Sequence, residues 1–245
     1  MIQGQHLYIG ADEAPLFPMK TMALTQGVNG SYSHAGSMAI DNAGEDSGID
    51  RIYAPCTLKC SWKDSGVPNG VNWQTIKKVR WADGTYDYAT IRFVHDKYTD
   101  DVKVGDIKRQ GEVIGHEGKS GQATGNHAHI GVARGLISGQ GLTKNPNGVY
   151  ELRSEVAPWL FFWTNGTTLI KTLEYPWKQY TAAEWTVGMK VKITGTYYAT
   201  GQKIPFWVKL RTFMIAELSP KTGVPAKALL KEINSWVLLK DLKKV

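Results

Sequence analysis

Two histidines one residue apart, His127 and His129, follow a glycine turn in Thr124-Gly125-Asn126-His127-Ala128-His129-Ile130-Gly131 and run into apolar letters. Such a stretch predicts a β-strand, on which residues i and i+2 share a face with Cα atoms roughly 6.5–7 Å apart. At that separation one imidazole can bind a metal ion while the other reaches a water or substrate atom at the same ion. Taken alone, a His-x-His pair in a strand is more often structural than catalytic, so its meaning depends on what else the chain supplies.

The chain supplies His34, Asp41 and His95. Zinc favours nitrogen and oxygen ligands in a tetrahedral shell, and a catalytic site keeps one position for water. Two histidines and one carboxylate complete that shell. Two further histidines can take a proton from the water and stabilise an oxyanion, as hydrolysis requires. The metal itself makes the water acidic, so the chemistry needs no serine or cysteine nucleophile. The carboxylates Asp46 and Asp50 stand near Asp41 as alternative ligands.

The elements that must position these groups read as short strands between glycine-rich turns. Residues 1–30 are interrupted by Pro15, Pro18, Gly27 and Gly30 and predict irregular structure. A turn at Ala35-Gly36-Ser37 leads into a short strand that enters Asp41. Alternation predicts strands over residues 51–62, 77–81 and 88–95, with an Asp83-Gly84 hairpin signal and His95 at a strand end. Gly118-Lys119-Ser120-Gly121 is a tight loop delivering the chain to the His-x-His strand. It lacks the spacing and the following helix of a phosphate-binding loop. His116 fits no part of the pattern and reads as a surface loop residue, and His6 has no assignment. Beyond a Gly/Asn/Pro-rich loop after residue 136, the aromatic run over residues 156–163 reads as core or interdomain packing. Residues 166–185 read as a connecting segment, and strands over 189–194, 206–208, 213–218 and 236–239 form a second small β domain. The fold class is therefore mainly β, with no long amphipathic helix.

Bulk properties fit that division. The chain has 245 residues and a net charge of +7, no low-complexity tract and no apolar run of membrane-spanning length. Its N-terminal letters do not form a secretory signal. From Thr186 onward there are 11 Lys/Arg against 3 Asp/Glu, whereas the preceding 185 residues carry 18 against 19. The basic character thus belongs to the C-terminal module and points to a polyanion as partner: nucleic acid, anionic lipid or an anionic cell-wall polymer. Cys56 and Cys60, the two cysteines, are too far apart along a strand for a disulfide and read as buried free thiols.

Together, His34, Asp41, His95 and His127-Ala128-His129 resemble the motifs of the LytM/lysostaphin-type zinc metallopeptidases, which cleave peptidoglycan. The flanks agree in order and glycine pattern: Val104-Gly105-Asp106, then Gln110-Gly111-Glu112-Val113-Ile114-Gly115, then Gly118-Lys119-Ser120-Gly121. The resemblance covers about residues 25–135. It implies an antiparallel β-sheet peptidase with one zinc ion held by His34, Asp41 and His129, and His127 with His95 as the catalytic pair. The commonest family spacing places the aspartate four residues after the first histidine; here it follows by seven, and Ile40-Asp41 fits longer versions familiar from phage enzymes.

The C-terminal stretches Val187-Gly188-Met189-Lys190-Val191-Lys192-Ile193 and 197–205 and 228–237 resemble bacterial SH3-like wall-binding domains of lysins. That resemblance implies a small β-barrel in which Tyr197, Tyr198, Trp207 and Trp236 line a groove for peptide or sugar. The implied domains are residues 1–165, a linker over 166–185, and residues 186–245. The expected protein is a monomeric phage endolysin that hydrolyses a peptide bond in the stem or cross-bridge of Gram-positive peptidoglycan. Anionic wall polymers are its expected anchor, with no nucleic acid partner and no membrane insertion. It would be made in the host cytoplasm and released through a separate pore protein; a secreted bacteriocin or phage tail lysin is less favoured. The loops around residues 62–76 and 136–150 are expected to set specificity. A catalytically silent wall-binding protein on the same fold is the alternative, but silence usually removes a ligand or a catalytic histidine. A nucleic-acid-binding protein would leave the zinc constellation unexplained.

Overall fold

In the computed structural model, residues 1–9, 12–45, 48–97, 101–164, 167–171, 173–180, 185, 188–219 and 227–245 are described. The protein is mainly β and divides into two compact units, residues 1–7 with 13–180, and residues 8–12 with 181–245. Among the described residues, no helix is long and apolar enough to cross a membrane.

The first unit is built on a nine-stranded sheet. Its strands run in the order Ile107–Lys108, Leu58–Asp64, Gly70–Thr75, Ala89–Val94, Ala128–Arg134, Ile40–Asn42, Thr21–Gln26 and Thr168–Lys171, and Glu155–Val156 also pairs with Ala128–Arg134. Pairing is antiparallel throughout, save that Thr168–Lys171 runs parallel to Thr21–Gln26. One face of the sheet is closed by Trp73, Ile91, Ile130 and Ile40, packed with Met22, Phe161 and Phe162 in a single core. Phe161 stacks edge-on to Trp81 at 4.7 Å, and Phe17 meets Phe162 at 5.9 Å, so Phe161 and Phe162 of the aromatic run are core, while Trp159 and Trp163 are half-buried. Cys56 and Cys60 are buried free thiols, as their spacing implied.

Register does the work of assembly. His129 lies opposite Asp41 on one neighbouring strand and opposite Val94 on the other. Directly opposed residues share a face, so the three central strands put Asp41, His129 and the strand end leading to His95 side by side.

The structure departs from the sequence reading in several places. Thr21–Gln26, expected to be irregular, is a six-residue strand of the main sheet. The expected strand over 51–62 breaks into Arg51–Tyr53 and Leu58–Asp64, which join different sheets. His116 is no loop residue; it ends the strand Val113–His116, half-buried and paired with Arg51. Thr168–Lys171, placed in the connecting segment, is an edge strand. The loop after residue 136 folds back as the hairpin Leu142–Lys144 and Tyr150–Leu152. The Asp83-Gly84 turn does join a hairpin, Val79–Arg80 with Tyr86–Asp87, and Gly84 takes φ 93°.

In the second unit, Ser235–Leu238, Lys227–Leu230, Phe213–Ser219, Lys190–Ile193 and Leu242–Lys244 form a five-stranded antiparallel sheet in that order. Val191, Ile193, Phe213, Ile215, Leu230 and Val237 make its core. Phe206–Lys209, expected as a strand, is a one-turn helix. Pro205 at its N-cap has the φ of −60° that a helix start accepts, and only Val208 of the turn is buried, a spacing that strand alternation mistakes for its own.

Because Ile91 is fully buried at the centre of the main sheet, Ile91→Ala should lower unfolding free energy by about 2–5 kcal/mol. Val104→Ala, at a site 61% exposed, should change it by less than about 0.5 kcal/mol. Denaturant midpoints of the two variants check this; equal losses would contradict the placement of the core.

Candidate metal centre

His34 is carried by the loop that follows Thr21–Gln26, and backbone bonds hold that loop in place: Gly30 N donates to Gly27 O, His34 N to Gly30 O, and Ser37 N to His34 O. Its Nε2 comes within 3.1 Å of His129 Nδ1 and 3.3 Å of Asp41 Oδ1. His129 Nδ1 in turn lies 3.0 Å from Asp41 Oδ1. His34 and Asp41 are buried, and His129 is half-buried. Among the described residues, His34, Asp41 and His129 form the group whose ligand atoms could hold a metal ion, all within 4.8 Å of one another. Asp50 instead accepts a hydrogen bond from Glu45 N, and Asp46 lies outside the described residues.

The donor set fits zinc. With bonds of about 2.0–2.2 Å, tetrahedral ligand atoms stand roughly 3.3–3.5 Å apart, close to the three separations found. Tautomers agree. His34 Nδ1 donates to the Gly27 carbonyl at 3.1 Å, so in the neutral ring Nε2 offers a lone pair toward the carboxylate oxygen. Facing lone pairs repel unless a proton or a cation lies between them. The buried Asp41 carboxyl illustrates the pull: burial alone would raise its pKa, but contacts from His129 and His34 hold it well below the usual carboxylate range. Burial likewise opposes charge on His34, yet Asp41 and the Gly27 carbonyl outweigh it and raise its pKa. Bound metal would replace those protons.

His127 and His95 flank the group. His127 Nε2 is 3.8 Å from Asp41 Oδ1, and the His127 and His95 rings lie 4.7 Å apart. Each turns Nδ1 outward as a donor, His127 to Gly125 O at 3.0 Å and His95 to Ser120 O at 2.6 Å. Both therefore present Nε2 as an acceptor in the neutral ring. Burial, with the nearby His127 and His129 adding, pushes the His95 pKa down to about 4 against the opposing Ser120 carbonyl. His95 sits at φ 72°, a left-handed conformation uncommon for a non-glycine residue. The Gly118–Gly121 loop holds it there. Gly118 exchanges backbone bonds with His127, and a Cβ on Gly118 would collide with the His95 carbonyl oxygen.

One contributor was missed in the sequence. Gln26 Nε2 donates to Asp41 Oδ2 at 2.9 Å and to Ser33 Oγ at 2.7 Å, while Gln26 Oε1 accepts from Ser33 N. It ties the carboxylate to the loop that carries His34. Its signal was the alternation of Thr21–Gln26, obscured by the breakers on either side.

The aromatic candidates of the second unit divide. Tyr197 and Trp207 are 55% and 59% exposed, and Phe206, next to Trp207 in the chain, is more open still. Tyr198 packs against the core, and Trp236 is half-buried with Lys227 Nζ 5.0 Å over its ring.

No protein-family model matches the sequence. The chain is similar to Morphogenesis protein 1 of Bacillus phage B103, with 37% identity over 172 residues, 70% of this chain and 45% of the phage protein. The match thus spans less than half the length of that relative. Among solved structures, the chain is similar to a zinc containing peptidase from Vibrio cholerae, at 19% identity and TM-score 0.38 over 50% of this chain and 37% of that one. It is also similar to the catalytic domain of a mutant of the prophage-encoded M23 protein EnpA from Enterococcus faecalis, at 21% identity and TM-score 0.37, covering 59% and 94% of the two chains. A third is the catalytic domain of lysostaphin from Staphylococcus simulans, at 18% identity and TM-score 0.33, covering 58% and 86%.

Gln26→Leu should weaken zinc binding about 10–100-fold, the usual cost of losing a partner that orients a ligand, as measured by competition with a chromophoric chelator. An unchanged affinity would deny Gln26 that role. Zinc affinity should also fall as pH drops through the histidine range, and sooner than for an ordinary imidazole, because the His34 pKa is raised. The same titration repeated at several pH values checks this.

Proposed function

We propose that the protein is a zinc-dependent endopeptidase acting on the peptide part of Gram-positive peptidoglycan. The observation that carries this reading is the convergence of His34, Asp41 and His129 beside two imidazoles whose outer nitrogens are tied to backbone carbonyls. His34, Asp41 and His129 would hold the metal. When bound, zinc supplies Lewis acidity, which makes a water able to attack near neutral pH.

The chain's own groups then handle protons and substrate. His127 Nε2, kept as an acceptor by the Gly125 carbonyl, takes the proton of the attacking water. Once protonated, it presents an N–H for the leaving amine. His95 Nε2 lies across the same opening; burial keeps its free imidazole neutral, and negative charge developing on the facing substrate oxygen favours the protonated ring, which then donates to that oxygen. Two clefts of about 410 and 500 Å³ flank the histidines and share Ser33, His95 and Gln122. Together they make room for a peptide on both sides of the cleaved bond. Residues from both expected specificity loops, among them Val67, Pro68, Leu142 and Tyr150, line the larger cleft.

The basic segment from residue 186 is read as a wall anchor in which exposed Tyr197 and Trp207 meet the polymer. Attraction to anionic wall polymers would add a salt-sensitive contribution. Such tethering raises the local concentration of catalyst on an insoluble substrate without tight binding by either part. The favoured setting is a phage endolysin, made in the host cytoplasm and released through a separate pore protein. The name of the Bacillus phage relative, a morphogenesis protein, favours a second setting, in which the enzyme travels with the phage particle. Detecting the polypeptide in purified particles, as opposed to lysate alone, separates the two.

Free amines should appear when zinc-loaded protein meets purified Gram-positive peptidoglycan, and should be absent from chelated protein and from His127→Ala. Reducing ends instead of amines would make the protein a glycosidase. No release from walls of several cross-bridge types would favour the silent wall-binding protein. Trp207→Ala with Tyr197→Ala should cut retention on insoluble walls several-fold in a pelleting assay, while cleavage of soluble fragments stays unchanged. Equal retention would remove these aromatics from the anchor.

A further inference from the structure

Arg92 is an anomaly in the middle of the main sheet. It is 7% exposed, yet it makes no ion pair among the described residues. Its strand register sets it opposite Gly131 and Asn72, so it stands on the same face as His129, two residues before Gly131. Nη1 donates to Asn72 Oδ1 at 3.0 Å, and the guanidinium lies 5.0 Å over the Trp62 ring. A Cβ on Gly70 would press on Nη2, so the glycine there makes room for the arginine.

A guanidinium carries five N–H donors, and among the described residues the Asn72 contact is the side-chain hydrogen bond it makes. The unbonded nitrogens are not sealed in the core. Arg92 lines the larger cleft together with His95 and His129. Burying such a charge without a counter-ion is costly, and burial does pull the Arg92 pKa down to about 10, with Asp64 acting against it from beyond ion-pair distance. Among the described residues, none of the cleft's acids forms an ion pair with Arg92, and each accepts a hydrogen bond from another group. Asp64 accepts from Gly66 N, Glu151 from Asn145 Nδ2, and Glu155 from Ser37 Oγ, Met38 N and Leu152 N.

We propose that Arg92 is a specificity residue that receives a free carboxylate of the substrate peptide in the cleft beside His129. The proposal rests on the peptidase reading above and narrows its substrate class. The enzyme takes wall peptides that carry an unamidated carboxylate near the cleaved bond, in preference to neutral bridges or amidated stems. A planar guanidinium with free N–H groups matches a carboxylate in two parallel bonds, which a carboxamide cannot reproduce. The Trp62 face and the Asn72 amide hold the fork in position before substrate arrives.

The test uses soluble muropeptides from a muramidase digest of Gram-positive peptidoglycan, native and after carbodiimide coupling with ammonia, which turns carboxylates into carboxamides. Full-length, zinc-loaded wild type, Arg92→Met and Arg92→Lys are compared by amine release and by calorimetric binding. Wild type should prefer the native peptides about ten- to a hundredfold in kcat/KM and in Kd, the scale of one charge-assisted pair. Arg92→Met should bring the native peptides down to the amidated level, and Arg92→Lys should keep part of the preference. Equal treatment of the two preparations by wild type overturns the proposal, whether or not the variants fold. So does an Arg92→Met that lowers both alike, which marks a structural arginine. Failure of the peptidase reading looks different: wild type releases no amines from either preparation, while the calorimetric comparison still decides whether Arg92 binds carboxylate.

Discussion

A buried carboxylate and two imidazoles whose donor atoms meet within 3.0–3.3 Å can be held together only by positive charge between them. Protons serve in part, as the low Asp41 and raised His34 pKa values show. A divalent cation serves better, because it meets all three at once at distances a tetrahedral shell requires. The remainder of the first unit can be understood as what keeps these atoms from relaxing apart. Asp41 and His129 are locked as opposed residues of neighbouring strands, and His34 is pinned through the Gly27 carbonyl and the Gln26–Ser33 bonds.

The same economy governs the two remaining histidines. Backbone carbonyls choose their tautomers, so in the neutral rings Nε2 is left as the acceptor. The Gly118–Gly121 loop takes part by its lack of side chain at residue 118, which lets the backbone come against His95 and accept its left-handed turn. Strain at His95 is local, while the sheet beneath it is fully packed. A stiff floor with one strained edge fixes side chains on a loop and strand end more closely than a free loop would.

Much of this was legible in the letters, for physical reasons. The His-x-His spacing states a shared face under period-2 geometry, and the apolar residues that follow it state a buried strand. Short local turns such as Asp83-Gly84 carry their own signal in residue type. What stayed hidden was non-local or set by a single neighbour. Thr168–Lys171 pairs in parallel with a strand far upstream, which no local pattern announces. Phe206–Lys209 is a single turn, too short for helical periodicity to declare itself. Gln26 and Arg92 are held by partners across the sheet, Asp41 and Asn72, and each reads in sequence as an ordinary polar residue of a strand.

The central claim, that this group exists to hold zinc, is tested most directly by X-ray absorption at the zinc edge on protein loaded with one equivalent of metal. The account predicts a four-coordinate shell of nitrogen and oxygen at about 2.0–2.1 Å, with the outer-ring scattering of two imidazoles and no sulfur. A shell containing sulfur, a six-oxygen shell, or zinc that dialyses away from the folded protein would contradict it.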